Sequence, residues 1–417
     1  MPKAGFQVKF IFLIPLVSLI VRIALFFFAP DQYLAFGDTP EYLETSSILC
    51  GTGKYPFTHL VLPTYRAPGF PLFLALISGC FYIPPSIIPI LLSVLDSLSC
   101  LVGMSIVFKL STRHKHARSA LFGIAYAFYP PFIQQSISVQ SEVLTQFSLL
   151  LSYFFLGRLL RPAQEKISLL SAFFGGAGIG VAILTRPSAL VLLLMLAGGV
   201  VLGSRQSRGF IVTVLLGAAA VLLPWSTYAT INTGKLTLVN DSFCYSAYRG
   251  ARLELLDVYQ ATSSEAFSQA ALHSEQAVRE AEQQIAVTDW CKETLKLLAQ
   301  NPQEELKLAL IKLAVYFRPW PHLAAHRPGL ALATGLIISL LYLFFITAVC
   351  QRNGNRALKL MVIAFMLIVG ILHVPHQVSN RYRIPFVDPL MMIMAAAYFK
   401  LPARRSRPEY PQTDSVD

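Results

Sequence analysis

The chain has 417 residues, of which 55% are apolar and only 13% are charged. A soluble domain carries ~25% charged residues, so this composition excludes an ordinary soluble protein. The formal net charge of +12 does not indicate nucleic acid, because Lys and Arg stand in short clusters between apolar runs, where they set membrane topology. We expect membrane lipids as partners and no nucleic acid.

Apolar runs recur along the chain at the length that a helix needs to cross a ~30 Å hydrocarbon layer. They predict an all-α polytopic membrane protein with about ten transmembrane helices. The predicted spans are 10–29, 86–110, 119–133, 143–160, 168–185, 188–203, 210–230, 329–350, 357–374 and 384–400. The first run is too long for a signal-peptide core and lacks a small-residue cleavage site, so we expect an uncleaved helix.

A further apolar stretch, 67–83, is an eleventh span, a re-entrant helix or a helix that lies along the membrane surface. Basic clusters favour the cytoplasmic side, and they all fall on one side only if 67–83 does not cross. This solution places both termini in the cytoplasm and predicts juxtamembrane helices in the first outer loop. The basic residues left in short outer loops are Lys54, Arg66, Arg186, Arg381 and Arg383.

Composition divides the chain into four parts. Only one of them, 231–328, has the composition of a soluble protein, and it predicts a small helical extracytoplasmic segment. Cys244 and Cys291 lie in it, and the sequence leaves open whether they pair. The parts are a transmembrane module, 1–230, with its first outer loop at 30–85; the outer segment, 231–328; C-terminal transmembrane helices, 329–400; and a disordered cytoplasmic tail, 401–417.

Acidic residues in two predicted outer segments are the candidate catalytic groups. Asp38 follows the first span, and Glu142 stands at the start of the fourth. A carboxylate at the membrane surface suits a general base for an acceptor hydroxyl. In the alternative interpretation, Asp38 caps a surface helix with Glu41 at its third position. Glu142 either complements its helix dipole or faces Asp38 across a cavity.

Arginines outside the inner clusters are candidate ligands for an anion. Arg22 lies about two turns inside the first span, where an unpaired charge costs at least ~2.5 kcal/mol. It must therefore snorkel, pair or line a wet cavity. The four arginines of the short outer loops suit a membrane-anchored phosphate, because Arg donates bidentate hydrogen bonds to phosphate oxygens. Alternatively, each snorkels to lipid headgroups.

The evidence for metal or nucleotide binding is slight. His373 and His376 form an i,i+3 pair in HVPH, but a third ligand is not evident, and the chain has no DxD pair. The run GGAGIG at 175–180 lies inside an apolar helix and follows no strand, so close helix packing explains it. We therefore predict no metal site and no required cofactor, with a divalent metal as the open alternative.

Five pieces of the sequence carry a resemblance that covers most of the chain. They are GDTPEYLETSSILCGTGKYPF, TYRAPGFPLFLAL, LLSVLDSLSCLVG followed by LTRP, LPWSTYATINTGKLTLVNDSF, and NRYRIPFVDPLMMIMAAA. In this order they resemble the GT-C superfamily of membrane glycosyltransferases, in particular the dolichyl-phosphate-mannose protein mannosyltransferases and bacterial aminoarabinose transferases. The fourth piece resembles a strand-like exit after the seventh helix of that family.

The resemblance implies an inverting glycosyltransferase with a polyprenyl-phosphate sugar as donor and a lipid, glycan or protein as acceptor. It implies an active site on the extracytoplasmic face of a bacterial inner membrane and makes Asp38 the general base. The candidate catalytic residues are Asp38 and Glu142, and the candidate substrate-binding residues are Tyr42, Arg22, Arg66, Arg186, Arg381, Tyr382 and Arg383. A transporter or flippase for lipid-linked sugars and an O-antigen-ligase-like enzyme remain the alternatives. The sequence names neither sugar nor acceptor.

Overall fold

The protein is described from a computed structural model, and every regular element that it describes is helical. The predicted all-α class is therefore confirmed. The predicted tail, 401–417, lies outside the described residues. The described residues are 4–28, 38–57, 66–80, 83–112, 114–156, 168–202, 205–261, 264–283, 289–319, 328–351 and 356–399.

The described helices follow the predicted order of spans and outer segments. They are α1 (Ala4–Phe28), α2 (Thr39–Thr52), α3 (Gly69–Ala75), α4 (Ile88–Leu110), α5 (Lys115–Ala127), α6 (Pro130–Ile137), α7 (Glu142–Leu156), α8 (Leu169–Thr185), α9 (Leu190–Leu202), α10 (Arg205–Thr233), α11 (Phe243–Gly250), α12 (Leu255–Gln260), α13 (Ser264–Glu282), α14 (Trp290–Gln300), α15 (Pro302–Phe317), α16 (Pro328–Cys350), α17 (Arg356–His373) and α18 (Asp388–Tyr398).

Three stretches of described helix are long and apolar enough to cross a membrane: Pro85–Leu110, Arg208–Thr233 and Ala331–Cys350. Six shorter apolar helices accompany them in the described part of the chain. The molecule is therefore an integral membrane protein, and the number of about ten crossings stays a prediction. The 67–83 stretch contains α3 and one π-helical turn, Leu76–Cys80. Together they are about 18 Å long, which agrees with a helix that does not cross.

Two expectations from the sequence are wrong. The span predicted at 119–133 is two helices, because Pro130 and Pro131 begin α6 and leave Tyr129 extended, as proline requires of the residue before it. The strand-like exit expected after the seventh span is helical through Pro224 to Thr233. The chain then folds back, so that the Trp225 indole donates to the Val239 carbonyl oxygen at 2.7 Å.

Close backbone packing joins α8 to α10. A Cβ atom built on Gly176 would lie 1.9 Å from the Val214 carbonyl oxygen, and one on Gly217 would lie 2.1 Å from the Phe173 carbonyl oxygen. Side chains at these positions would push the helices apart. This explains GGAGIG as a packing surface between α8 and α10.

A buried ion pair joins α1 to α4. Arg22 is fully buried, and its Nε donates to Asp96 Oδ2 at 2.6 Å. The hydroxyl of Tyr126 donates to the other Asp96 oxygen at 2.6 Å, and Ser18 accepts from Arg22 Nη1. The ion pair with Asp96 therefore offsets the free-energy cost of burying the Arg22 charge, and the side chain does not snorkel to the interface.

A second buried ion pair anchors α18. Arg383 Nε lies 2.7 Å from Asp388 Oδ1, and both side chains are almost fully buried. Tyr129 donates to Asp388 Oδ2 at 2.7 Å, while Arg383 Nη1 donates to the Tyr342 hydroxyl at 2.6 Å and to the Arg318 carbonyl oxygen at 2.9 Å. This network holds the chain immediately after the short 3₁₀ helix Asn380–Arg383.

The outer segment contains α11 to α15. A disulfide bond joins Cys244 on α11 to Cys291 on α14, with Cα atoms 4.8 Å apart. Trp290 is buried against Tyr245 and Tyr248 beside this bond. The pairing that the sequence left open is therefore present, and it braces α11 against α14.

Candidate active site

Asp38 precedes the first turn of α2, but its carboxylate does not cap that helix. Its side chain makes no hydrogen bond to the helix N-terminus, so the capping interpretation is wrong. Instead, Arg66 Nη2 donates to Oδ1 at 3.0 Å and Arg381 Nη2 donates to Oδ2 at 2.7 Å. Both carboxylate oxygens are thus held by guanidinium groups, one of them 343 residues away in sequence.

Glu142 is the first residue of α7 and is 1% exposed. Its Oε1 accepts a hydrogen bond from Arg186 and lies 3.8 Å from Arg381 Nε. Arg381 therefore stands between the two predicted catalytic carboxylates. The sequence left open whether Glu142 faces Asp38, and the structure brings both carboxylates to one guanidinium group, Asp38 to Nη2 and Glu142 towards Nε of Arg381.

Three guanidinium groups and three carboxylates form one group, which we call the Asp38 cluster. Glu41 completes it by accepting from Arg66 Nε at 2.6 Å. Its members are Asp38, Glu41, Glu142, Arg66, Arg186 and Arg381. The formal charges balance, so an anionic ligand that enters must compete with a carboxylate for the guanidinium groups.

The cluster sets the protonation state of its members. Burial is the largest single influence on Asp38 and raises its pKa, but the guanidinium groups of Arg381 and Arg66 outweigh it together and leave the pKa below its ordinary value. Burial lowers the pKa of Arg381, but Tyr382, Glu142 and Asp38 raise it above its ordinary value. The carboxylate is therefore ionised and Arg381 is cationic at neutral pH.

Two atoms of the cluster are buried without a hydrogen-bond partner in the described part of the chain. They are Glu142 Oε2 and Arg186 Nε. Leaving a buried polar group unpaired costs about 1–3 kcal/mol, and more when it is charged. Such groups are expected where a ligand or water completes the hydrogen bonds.

Aromatic rings line the cluster. The guanidinium carbons of Arg186 and Arg381 each lie 5.3 Å from the centre of the Tyr382 ring, within range of a cation–π interaction. His373 stacks on Tyr382 at 5.5 Å between ring centres. Tyr42 lies under Arg66, with 5.9 Å from its ring centre to the guanidinium carbon. The predicted residues Tyr42 and Tyr382 therefore both reach the cluster.

Two predicted substrate-binding residues lie elsewhere. Arg22 and Arg383 belong to the buried ion pairs described above, and neither contacts the Asp38 cluster through a hydrogen bond or ion pair that the structure describes. Among the described residues no three His, Cys, Asp or Glu side chains group as metal ligands. The His373 ring contacts the Tyr382 ring.

Sequence reasoning missed the roles of Glu41 and His373. Glu41 was assigned to the capping alternative, although it lies three residues after Asp38 and so shares a helix face with it. For His373 the sequence suggests a metal ligand or a part of an O-antigen-ligase-like site, and not a stacking partner. Its position at the end of a span, a few residues before Arg381 and Tyr382, was the available signal for a stacking role.

An apolar pocket of about 350 Å³ lies beside the cluster. It adjoins both Arg66 and Arg186, because the Tyr55 hydroxyl in its wall donates to the Arg66 carbonyl oxygen at 3.1 Å and Leu184 lies two residues before Arg186. Its lining residues are Leu49, Gly53, Tyr55, Leu72, Leu184, Val221, Pro224, Trp225 and Tyr228. An open apolar pocket thus lies next to the backbone of two arginines of the Asp38 cluster, and its lining contains no member of the cluster itself.

Comparison with solved structures identifies the fold. The chain superposes on the archaeal oligosaccharyltransferase AglB from Archaeoglobus fulgidus in complex with an inhibitory peptide and a dolichol-phosphate, with a TM-score of 0.53, 12% identity and 94% of this chain covered. The apo form of the same enzyme gives a TM-score of 0.52 at 12% identity over 95% of this chain. The chain spans about half the length of these structures. AglB is a GT-C member, so the resemblance seen in the sequence is confirmed for the fold.

Comparison by sequence gives no further assignment. No protein-family model matches the chain, and no curated protein matches it.

Proposed function

We propose that this protein is an inverting glycosyltransferase that moves a sugar from a polyprenyl-phosphate donor to an acceptor hydroxyl. The observation that carries the proposal is the Asp38 carboxylate held between two guanidinium groups beside an apolar pocket. The solved neighbour with a dolichol-phosphate bound supports a lipid phosphate as the donor class. Arg22 and Arg383 are left out of the proposed site, since each is bound to a buried carboxylate.

The donor phosphate binds at Arg66 and Arg381, with Arg186 beside them. Guanidinium groups match phosphate oxygens in geometry and stay charged at all physiological pH values. They also stabilise the negative charge that grows on the leaving phosphate during transfer. The chain therefore supplies the positive charge for departure from its own side chains, and the proposal needs no cofactor.

The apolar pocket takes the first isoprene units next to that phosphate. A cavity of ~150 Å³ lined by apolar side chains holds a benzene molecule, and this pocket is about 350 Å³. Each CH₂ group that leaves water contributes ~0.8 kcal/mol. A molecule with a charged end and an apolar chain matches a charged cluster with an apolar pocket near its backbone, whereas a soluble sugar phosphate would leave the pocket empty.

Asp38 acts as the general base. Its carboxylate takes the proton of the acceptor hydroxyl as that oxygen forms a bond to the anomeric carbon. The bond from the anomeric carbon to the phosphate oxygen breaks, and the prenyl phosphate leaves with the electron pair, so the configuration inverts. The proton then passes from Asp38 to solvent. Tyr42 and Tyr382 face the sugar, and Glu142 holds Arg186 and Arg381 in place.

Donor binding frees Asp38 for this role. In the resting structure both of its oxygens are occupied by guanidinium groups, which weakens it as a base. A donor phosphate competes for the same groups, and burial then raises the pKa of Asp38. The donor therefore binds before the acceptor.

The proposal is tested by incubating the purified protein with undecaprenyl-phosphate-linked hexose or pentose and extracted envelope fractions as acceptors. We expect release of undecaprenyl phosphate together with a glycosylated product. A matched donor linked through diphosphate is the control and should not react. Reaction of the diphosphate donor alone would support an O-antigen-ligase-like enzyme, and movement of intact donor between leaflets without cleavage would support a flippase.

The Asp38 cluster faces the extracytoplasmic side of a bacterial inner membrane in this proposal. The disulfide bond of the outer segment supports an oxidising compartment on that side, and the inner basic clusters support cytoplasmic termini.

Native cysteines test this orientation. Cys50 on α2 and Cys350 at the end of α16 are both exposed. A further cysteine outside the disulfide bond, Cys80, is replaced by Ser so that it cannot react with the label. In intact cells that express this variant, a membrane-impermeant maleimide should label Cys50, while Cys350 should react only after permeabilisation. The reverse pattern would contradict the orientation, and the buried Cys100 is the internal control.

A further inference from the structure

Residues 374–379 join α17 to the 3₁₀ helix that carries Arg381, and we call them the 374–379 loop. The Tyr259 hydroxyl on α12 accepts a hydrogen bond from the Val378 backbone N–H at 2.8 Å and donates to the Val378 carbonyl oxygen at 3.1 Å. One side chain thus satisfies both backbone groups of a residue three positions before Arg381. A phenylalanine ring would fill the same space and make neither bond.

Lys312 on α15 fixes the start of the same loop. Its side chain is 3% exposed, and its Nζ donates to the Val374 carbonyl oxygen at 3.0 Å and to the Gly250 carbonyl oxygen at 2.5 Å. The ammonium group therefore ties the outer end of α17 to the end of α11.

The middle of the loop packs directly on α11. A Cβ atom on Gly250 would lie 2.0 Å from the Pro375 carbonyl oxygen, so only glycine permits this approach. The His376 ring meets Phe243 edge to face, with 5.2 Å between ring centres. Three helices of the outer segment, α11, α12 and α15, thus contact one six-residue loop.

We propose that Tyr259 is a positioning residue for the transfer reaction, which holds the 374–379 loop so that Arg381 reaches Asp38. The connection to Arg381 is short. The Ser379 Oγ accepts from the Arg381 backbone N–H at 3.4 Å, and Arg381 Nη2 then donates to Asp38. The inference assigns the outer segment the role of fixing the donor-binding arginine, and it rests on the proposed function for its kinetic consequence.

The test compares Tyr259→Phe with Tyr248→Phe in the full-length protein. Tyr248 is a matched control, because it is buried in the same outer segment and its hydroxyl bonds to Arg252 instead of the loop. Hydrogen exchange is measured on peptides that cover 374–383. We expect at least tenfold faster exchange at Val378 and Arg381 in Tyr259→Phe and no change in Tyr248→Phe.

The kinetic arm separates positioning from a general loss of structure. We expect Tyr259→Phe to raise the donor KM at least fivefold, with a smaller effect on kcat and a thermal midpoint equal to that of Tyr248→Phe. Unchanged exchange at Val378 and Arg381, or an unchanged donor KM in an active protein, overturns the inference. If the parent protein turns over no donor, the proposed function has failed, and the exchange measurement alone decides whether Tyr259 fixes the loop.

Discussion

Replacement of Asp38 by Asn is expected to reduce transfer at least ~100-fold, the lower end of the contribution of a positioned general base. Asn keeps the size of the side chain, and its carbonyl oxygen still accepts from a guanidinium group. It cannot take the proton of an acceptor hydroxyl. The loss should therefore fall on kcat, and a thermal unfolding curve should show that the protein remains folded. Release of prenyl phosphate from the purified variant is the readout.

Glu44→Gln is the matched control for this prediction, since Glu44 is an exposed carboxylate on the same helix. It should transfer like the parent protein. The pH dependence gives a second readout. Because Arg381 and Arg66 keep the pKa of Asp38 below its ordinary 3.8, the resting carboxylate is lost only below that value. The pH dependence of kcat/KM, which reports the free protein, should therefore show no acidic limb from Asp38 between pH 5 and 8. Full transfer by Asp38→Asn would reject its assignment as base.

Replacement of Arg383 by Met is expected to destabilise the fold by about 3–5 kcal/mol, the cost of leaving one member of a buried ion pair alone. Asp388 would remain buried with Tyr129 as its hydrogen-bond donor and no cation. The Tyr342 hydroxyl and the Arg318 carbonyl oxygen would also lose a donor. Thermal unfolding in detergent measures the change.

The double variant Arg383→Met with Asp388→Leu should be closer in thermal stability to the parent protein than the single variant Arg383→Met. The reason is that the double variant removes both buried charges together. Lys307→Met is the comparison at an exposed pair, in which the side chains of Lys307 and Glu304 are 54% and 50% exposed. It should cost no more than ~1 kcal/mol. A single Arg383 variant as stable as Lys307→Met would show that the buried pair does not anchor α18.

The sequence predicted the all-α class, and it singled out Asp38, Glu142, Arg66, Arg186 and Arg381, which the structure gathers in one cluster. It could do so because a charged side chain is costly in a membrane, so charged residues among apolar runs stand out as candidates. It did not distinguish Arg381 from Arg383. Both follow the same span, but they lie on a 3₁₀ helix, where residues two apart are rotated by about 240° and so point about 120° apart. Arg381 consequently meets Asp38, while Arg383 turns inward to Asp388.

The sequence also could not predict hydrogen-bond partners that lie far apart along the chain. Nothing local in Val378 or Tyr259 predicts their pairing across 119 residues, since it depends on how the outer segment folds back onto the bundle. The break before Pro130 is a different kind of error. Two consecutive prolines forbid a continuous helix. The sequence therefore contained the evidence for a break, but the prediction of a single span at 119–133 followed only the apolar character of the run.

The stoichiometry of products from one incubation tests the central claim most directly. If the Asp38 cluster binds a lipid phosphate and transfers its sugar, each glycosidic bond formed should be matched by one prenyl phosphate, with the anomeric configuration inverted. Purified protein that leaves the donor intact, or that forms product with retained configuration, would contradict the account.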